Sequence, residues 1–274
     1  MALARLGTTS WSLKPRDPAD LVRLLHATGL DAVQIGLSPV VSDLQAWGET
    51  VPRLIEGGIT ILSGMMQPVE EDYSTIARIR DTGGIRRDAT WPANEAMARA
   101  MAVLAENAGI GLVTMHAGFI PEDAGDPLRA IMAARLRTLN DIFEAEGVRL
   151  ALETGQESAT ALLEALDEVD RPNLGVNFDP ANMLLYGSGD PIEAMERLAP
   201  RIVSLHLKDA LASGDSEAWG TETPLGAGQV DWDAFFAIAR DLPNEVDAII
   251  EREGGDRRVE EIRLAVDFVR AHFE

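Results

Sequence analysis

Cysteine is absent from this 274-residue chain, which excludes disulfides, thiolate metal sites and cysteine nucleophiles. A bound metal would have to use imidazole and carboxylate ligands. Histidine is scarce, with only His26, His116, His206 and His272. Lysine is scarcer: Lys14 and Lys208 stand alone among 24 basic residues, so the position of each matters. Positive charge is short overall, leaving a formal net charge of −21. An acidic surface of this kind repels phosphate backbones, which argues against nucleic acid as a partner. No apolar run approaches the ~20 residues that cross a bilayer, so no membrane association is expected. The opening MALARLGTTSW lacks the long apolar stretch of a secretory signal, and a cytoplasmic location is the expectation. No linker, low-complexity tract or compositional break divides the chain, which predicts a single domain over residues 1–274. A glycine-rich phosphate loop is not evident.

Short apolar runs are plentiful. Residues 4–10, 31–37, 59–66, 111–117, 149–154, 174–179, 201–208 and 247–252 read as strands, most of them apolar almost throughout. Strands covered on both faces have this composition. Amphipathic stretches lie between them, among them Pro18–Thr28, Asn94–Ala108, Leu128–Glu146, Ile192–Leu198 and a last one over Arg258–Phe273. Gly29, Gly57, Gly109 and Gly147 each follow a helical run and precede a strand, as helix-stop glycines do. A β–α alternation repeated eight times predicts an α/β fold, a single (β/α)8 TIM barrel. Two connections are long, 67–92 and 209–230, and both would rise from the face that carries active sites in barrels.

Four ligand-type residues end four successive runs: Glu153 in RLALETG, Asp179 in LGVNFDP, His206 in RIVSLHLKD and Glu251 in DAIIERE. Parallel barrel strands converge on one mouth, so residues far apart in sequence could meet around one ion. Taken singly, a strand-end carboxylate is more often a helix cap or an ion-pair partner. Four in a row are harder to assign to accident. Three carboxylates and one imidazole form a mostly hard donor set, suited to Mn²⁺ or Mg²⁺, with Co²⁺ or Zn²⁺ possible. Such an ion could polarise a carbonyl, and carboxylates beside it could remove and return a proton.

Strand side chains alternate with period two, so His206 and Lys208 share a side, as do Glu251 and Glu253. His116 would face inward with Thr114. His116, Lys208, Asn182 and Trp11 are candidate substrate contacts, with ion pairing to Asp209 or Glu153 the alternative for Lys208. Trp11, Trp91 and Met65 could form an apolar wall, although packing in the core explains each as well. Gly83, Gly84, Arg86 and Arg87 could serve an anionic substrate, and Arg257 and Arg258 share that ambiguity with a plain solvated surface.

Together LALETG, NFDPANMLLYG, VSLHLKD, TPLGAGQVDW and IIEREGG resemble the xylose isomerase-like TIM-barrel superfamily, and within it the sugar phosphate isomerase/epimerase family. The resemblance implies that Glu153, Asp179, His206 and Glu251 bind one divalent metal, Mn²⁺ first. It also implies that Glu153 and Glu251 pass a proton across an enediolate of a small-molecule sugar or sugar derivative, and that a homodimer or homotetramer forms. Two departures from the ketose 3-epimerases stand out. Asn182 occupies the place of a histidine, and no arginine closely follows His206. Endonuclease IV shares the barrel but needs three zinc ions, which four histidines in total cannot supply. The expectation is therefore a metal-dependent isomerase or epimerase. A lyase or dehydratase on a keto-sugar, keto-inositol or 3-keto-glycoside is the enzyme alternative, and a non-catalytic sugar-binding barrel the alternative of another class.

Overall fold

The computed structural model describes residues 4–215 and 218–273. Eight parallel strands close a barrel: β1 (Leu6–Thr9), β2 (Ala32–Gly36), β3 (Thr60–Met65), β4 (Leu112–Met115), β5 (Arg149–Glu153), β6 (Gly175–Phe178), β7 (Ile202–Leu207) and β10 (Asp247–Ile250). Every apolar run expected to be a strand is one, and β10 returns to pair with β1. Two further strands, β8 (Asp209–Leu211) and β9 (Thr221–Thr223), form an antiparallel ribbon beyond β7. Helices separate the barrel strands and bury their apolar stripes against the barrel, with Leu21, Leu25, Phe143, Phe178 and Phe235 near the centre of that packing.

Four helices start with the same device. Asp17, Asp126, Asp179 and Asp190 each cap a helix whose first residue is proline, and each carboxylate accepts from a backbone amide of the first turn. Proline costs nothing there, because its missing N–H would have no helical partner. Among the four expected helix-stop glycines, Gly29, Gly109 and Gly147 take positive φ, but Gly57 does not, and Gly58 adopts the left-handed geometry instead.

Long connections hold more structure than the sequence pattern indicates. Three short helices, Leu37–Ser42, Leu44–Trp47 and Thr50–Glu56, occupy the path from β2 to β3. The 67–92 connection carries helix Ile76–Thr82. Its Gly84 has φ of 68°, and a Cβ there would lie 1.9 Å from the Ala117 carbonyl oxygen. The β3 connection thus lies directly on the chain leaving β4, and Ile85 donates its amide to Ala117 at 3.0 Å. Arg135 fixes the same segment by donating to the carbonyls of Ile85 and Arg86. The GGIRR segment therefore packs one barrel loop on another. Arg86 turns to the Arg80 carbonyl and Arg87 to Glu70, so neither arginine lines the cavity described below.

Candidate metal centre and active site

β5 ends on Glu153, Asp179 follows β6, His206 lies in β7 and Glu251 follows β10. The parallel register brings these ends level: Glu153 pairs with Asn177, and Ile249 with His206. One ligand atom from each of the four lies within 4.8 Å of the others, and all four residues are buried. His206 Nδ1 stands 3.3 Å from Glu153 Oε1, 3.3 Å from Glu251 Oε2 and 3.9 Å from Asp179 Oδ2.

Two of these atoms lack any hydrogen-bond partner, Asp179 Oδ2 and His206 Nδ1. Buried polar atoms without partners are rare in folded proteins, and an ion is one standard reason for them. Asp179 is the helix cap that its sequence position suggests, since Oδ1 accepts from the amides of Ala181 at 2.8 Å and Asn182 at 3.0 Å. It is also more than a cap, because its second oxygen faces the cluster unpaired.

The far side of His206 explains how its ring is set. Nε2 lies 2.7 Å from Gln34 Oε1, and the Gln34 amide donates to Thr114 Oγ1 at 3.0 Å. Thr114 in turn donates to Met65 Sδ at 2.9 Å. With the Gln34 oxygen directed at Nε2, the proton of a neutral ring belongs there and Nδ1 offers its lone pair to the cluster. The β2–β3 register shifts at Val33/Gln34, an irregularity of the sort that re-aims a side chain. A second shift at Val176/Asn177 accompanies the inward turn of Asn177, whose amide donates to Glu153 Oε2 at 3.2 Å.

The electrostatics of the bare protein match this reading. Burial pushes the Asp179 carboxyl up to about 8, against the pull of Lys208 and with Glu153 and Glu251 adding repulsion. Burial would lower the His206 imidazole, but the carboxylates of Glu153 and Glu251 outweigh it and hold it well above its ordinary value. Burial would raise Glu251, yet Lys208 and His206 pull it well below the carboxylate range. Three carboxylates in one buried cluster call for positive charge, which protons supply in the bare protein and a divalent cation would supply in their place. The residues present fit such an ion.

The two glutamates are held differently. Glu153 Oε1 accepts from the Asn182 amide at 2.9 Å, with His116 Nε2 at 3.6 Å. Glu251 Oε1 accepts from Trp11 Nε1 at 2.6 Å, and Glu251 Oε2 from Lys208 Nζ at 3.1 Å. Lys208 also reaches Glu253 at 2.7 Å and Asn182 Oδ1 at 3.4 Å, not Asp209 or Glu153. All four candidate substrate contacts, His116, Lys208, Asn182 and Trp11, therefore stand at the cluster and line a cavity of about 700 Å³ above it. Met65 lines it as well. Trp91 does not; its ring packs under Arg135 at 5.3 Å and against the core. Arg257 pairs with Glu260 on the surface, away from this cavity.

Sequence reasoning did not find Gln34, Asn177 or Asp209. The first two carried a legible signal, a polar residue inside an apolar strand. Asp209 is buried beside Lys208 and accepts from the amides of Ala210, Gly226, Gly228 and Val230 and from Trp232 Nε1. It anchors the TPLGAGQVDW loop and has no place in the cluster. Glu222 of β9 accepts from Arg252 and from the amides of Glu253 and Gly254, which ties the ribbon to the loop carrying Glu251.

The family described as xylose isomerase-like TIM barrel matches residues 22–272. A 3-oxo-isoapionate decarboxylase from Pectobacterium atrosepticum is 34% identical over 123 residues, covering 43% of this chain and 44% of the relative. The chain thus matches less than half the length of that curated relative. A xylose isomerase domain protein from Planctomyces limnophilus is 28% identical, with a TM-score of 0.85 over 92% of this chain and 91% of that one. A D-allulose 3-epimerase from Methylomonas sp. is 17% identical with a TM-score of 0.73 over 99% of this chain and 100% of that one, a likeness of fold. Among the described residues no helix is long and apolar enough to cross a membrane.

Proposed function

We propose, for a chain that belongs to the xylose isomerase-like TIM-barrel family, a divalent-metal-dependent isomerase or epimerase that moves a proton beside a carbonyl of a small sugar or sugar derivative. The observation that carries this reading is the buried group of four, with Asp179 Oδ2 and His206 Nδ1 left without partners. Glu153, Asp179, His206 and Glu251 would hold the ion, and we take Mn²⁺ as its first candidate because a mostly oxygen donor set with one imidazole suits it. When bound, such an ion supplies Lewis-acid polarisation of a carbonyl and acidifies the neighbouring C–H.

The chain's own residues supply the rest. Glu153 is oriented by the Asn177 and Asn182 amides, and Glu251 by Trp11 and Lys208. Each glutamate is thereby fixed for proton transfer, one removing a proton from carbon and the other returning one to the opposite face. His116 and Lys208 border the cavity and would donate to substrate oxygens as negative charge develops on the enediolate. Glu222 of the ribbon and Gln67, Glu71 and Tyr73 of the 67–92 connection line the mouth.

Incubation of Mn²⁺-loaded protein with candidate keto-sugars in D₂O tests the proposal. Deuterium at one carbon with an altered stereocentre or a moved carbonyl is the expected result. Glu153→Gln is expected to abolish exchange while the fold survives, and unchanged exchange would remove Glu153 from its role. Protein that takes up no divalent metal, and whose melting temperature added Mn²⁺ does not raise, would defeat the reading at its root.

A second reading, a lyase acting through the same enediolate, is favoured by one observation. Lys208 puts an ammonium on the Glu251 side only, so the two glutamates are not matched as a symmetric acid–base pair would be. The relative from Pectobacterium atrosepticum is named as a decarboxylase. Loss of water, carbon dioxide or an aglycone in the D₂O experiment, in place of simple exchange, would select this reading.

A further inference from the structure

The cavity over the metal-candidate group is large and unevenly furnished. At about 700 Å³ it falls well inside the range of roughly 300–1,000 Å³ that holds drug-sized ligands, and a bare six-carbon sugar would leave much of it to water. Glu153, Glu251, Lys208 and Asn182 make up its floor, and Lys14, Glu71, Glu222 and Glu253 carry charge further out. Aromatic rings share its walls with aliphatic side chains such as Ile35, Val40 and Leu185.

The chain has five tryptophans and two tyrosines. Three of those tryptophans, Trp11, Trp47 and Trp219, and both tyrosines, Tyr73 and Tyr186, line this one cavity. The ordinary explanation for buried aromatic rings is core packing, and it accounts for Trp91 and Trp232, which belong to or pack against the hydrophobic core. None of the five cavity rings does so. They stand on connections that leave different strands, so no single packing element gathers them. Tyr186 and Trp219 meet edge to face with centroids 4.8 Å apart, and Phe119 backs Tyr186 at 5.6 Å. Preassembled rings of this kind present an apolar surface at little ordering cost.

The charge on the walls narrows the ligand further. Glu71 accepts from the Gly84 amide at 2.8 Å and from the Tyr73 hydroxyl at 3.1 Å, with no cation in that set. Lys208 is already shared between Glu251 and Glu253, and Glu222 is engaged by Arg252. Lys14 is the other lysine lining the cavity, and the imidazole of His116 lines it too. A phosphate would meet more carboxylate than ammonium there, and an uncharged group would not.

We infer that this is a two-part site, taking a sugar hydroxy-ketone on the floor and a flat, uncharged aryl substituent between the aromatic walls, so that the substrate class is an aryl glycoside of a keto-sugar. The inference rests on the reading of the floor as the reaction centre. The wall is tested separately. Mn²⁺-loaded protein is titrated by tryptophan fluorescence and calorimetry with phenyl β-D-glucopyranoside and with methyl β-D-glucopyranoside, which share a sugar and differ only in the aglycone. The phenyl glycoside is expected to bind at least tenfold more tightly. That advantage is expected to shrink severalfold in Trp219→Ala and, independently, in Trp47→Ala, provided each variant melts as the parent does. Equal affinities, binding of neither probe, or a phenyl advantage untouched by both variants would overturn the inference. Repeating the pair in metal-free protein separates the two ideas: absent Mn²⁺ binding defeats the reading of the floor, whereas the phenyl-to-methyl ratio reports on the walls alone.

Discussion

Asp179 and Asp209 are both buried aspartates beside strands on the same barrel mouth, at 0% and 1% exposure, and their surroundings could hardly differ more. Asp209 is saturated: five donors converge on its two oxygens, four of them backbone amides. Asp179 is half used, with two amides on Oδ1 and nothing on Oδ2. A carboxylate that finishes a loop consumes its whole acceptor capacity. One that awaits a cation keeps an oxygen in reserve at a cost to the bare fold. Glu157 adds a third case, a buried carboxyl for which burial outweighs the help of its own backbone amide.

Substitutions can break that comparison. Asp209→Ala should have the largest effect, because several buried donors lose their acceptor at about 1–3 kcal/mol each. A fall of roughly 3 kcal/mol or more in urea unfolding is expected, and a fall under 1 kcal/mol would mean the loop does not depend on it. Asp179→Asn should do the opposite. Asparagine caps helices nearly as well as aspartate, so metal-free stability should stay within about 1 kcal/mol of the parent. The stabilisation that saturating Mn²⁺ confers, about 2.7 kcal/mol at 100 times Kd, should vanish. Thermal melts with and without Mn²⁺ read both at once.

Gln34→Leu comes next. Losing the acceptor on His206 Nε2 frees the ring tautomer and orientation, and Mn²⁺ affinity by calorimetry is expected to drop about 10–100-fold. Unchanged affinity would show that the ring needs no such support. The smallest effect per unit of pH belongs to Glu157, whose carboxyl burial pushes up to about 8 from an ordinary 4.5. The unfolded chain gives up this proton first, so the fold loses stability as pH rises between those values and pays nothing below the lower one. Glu157→Gln should remove that loss, worth about 1 kcal/mol per pH unit. Parallel stability curves for parent and variant from pH 5 to pH 7 would show that Glu157 finds a partner in solution.

The barrel was legible because its strands are largely buried and therefore mostly apolar, and because helices punctuate them at a regular interval. The four ligand-type residues were legible for the same reason: each is an ionisable side chain at or near the end of an apolar run. Period two placed Lys208 beside His206 correctly, but it could not name a partner, since Glu253 and Glu251 reach it across a register that only the closed barrel sets. Gln34 and Asn177 turn inward at register shifts, which no alternation pattern records. The GGIRR arginines looked suited to an anion because charge is visible in sequence, whereas the close contact of Gly84 with Ala117 is not.

Lys208 and Lys14 differ in one further respect that bears on handling the protein. Lys208 is 4% exposed at the bottom of the cavity, while Lys14 is exposed on its rim. An amine-reactive dye would therefore find Lys14 and miss its only fellow lysine. With the terminal amine blocked, a single reporter would then sit at the entrance of the cavity, placed there by nothing more than the chain's reluctance to use lysine.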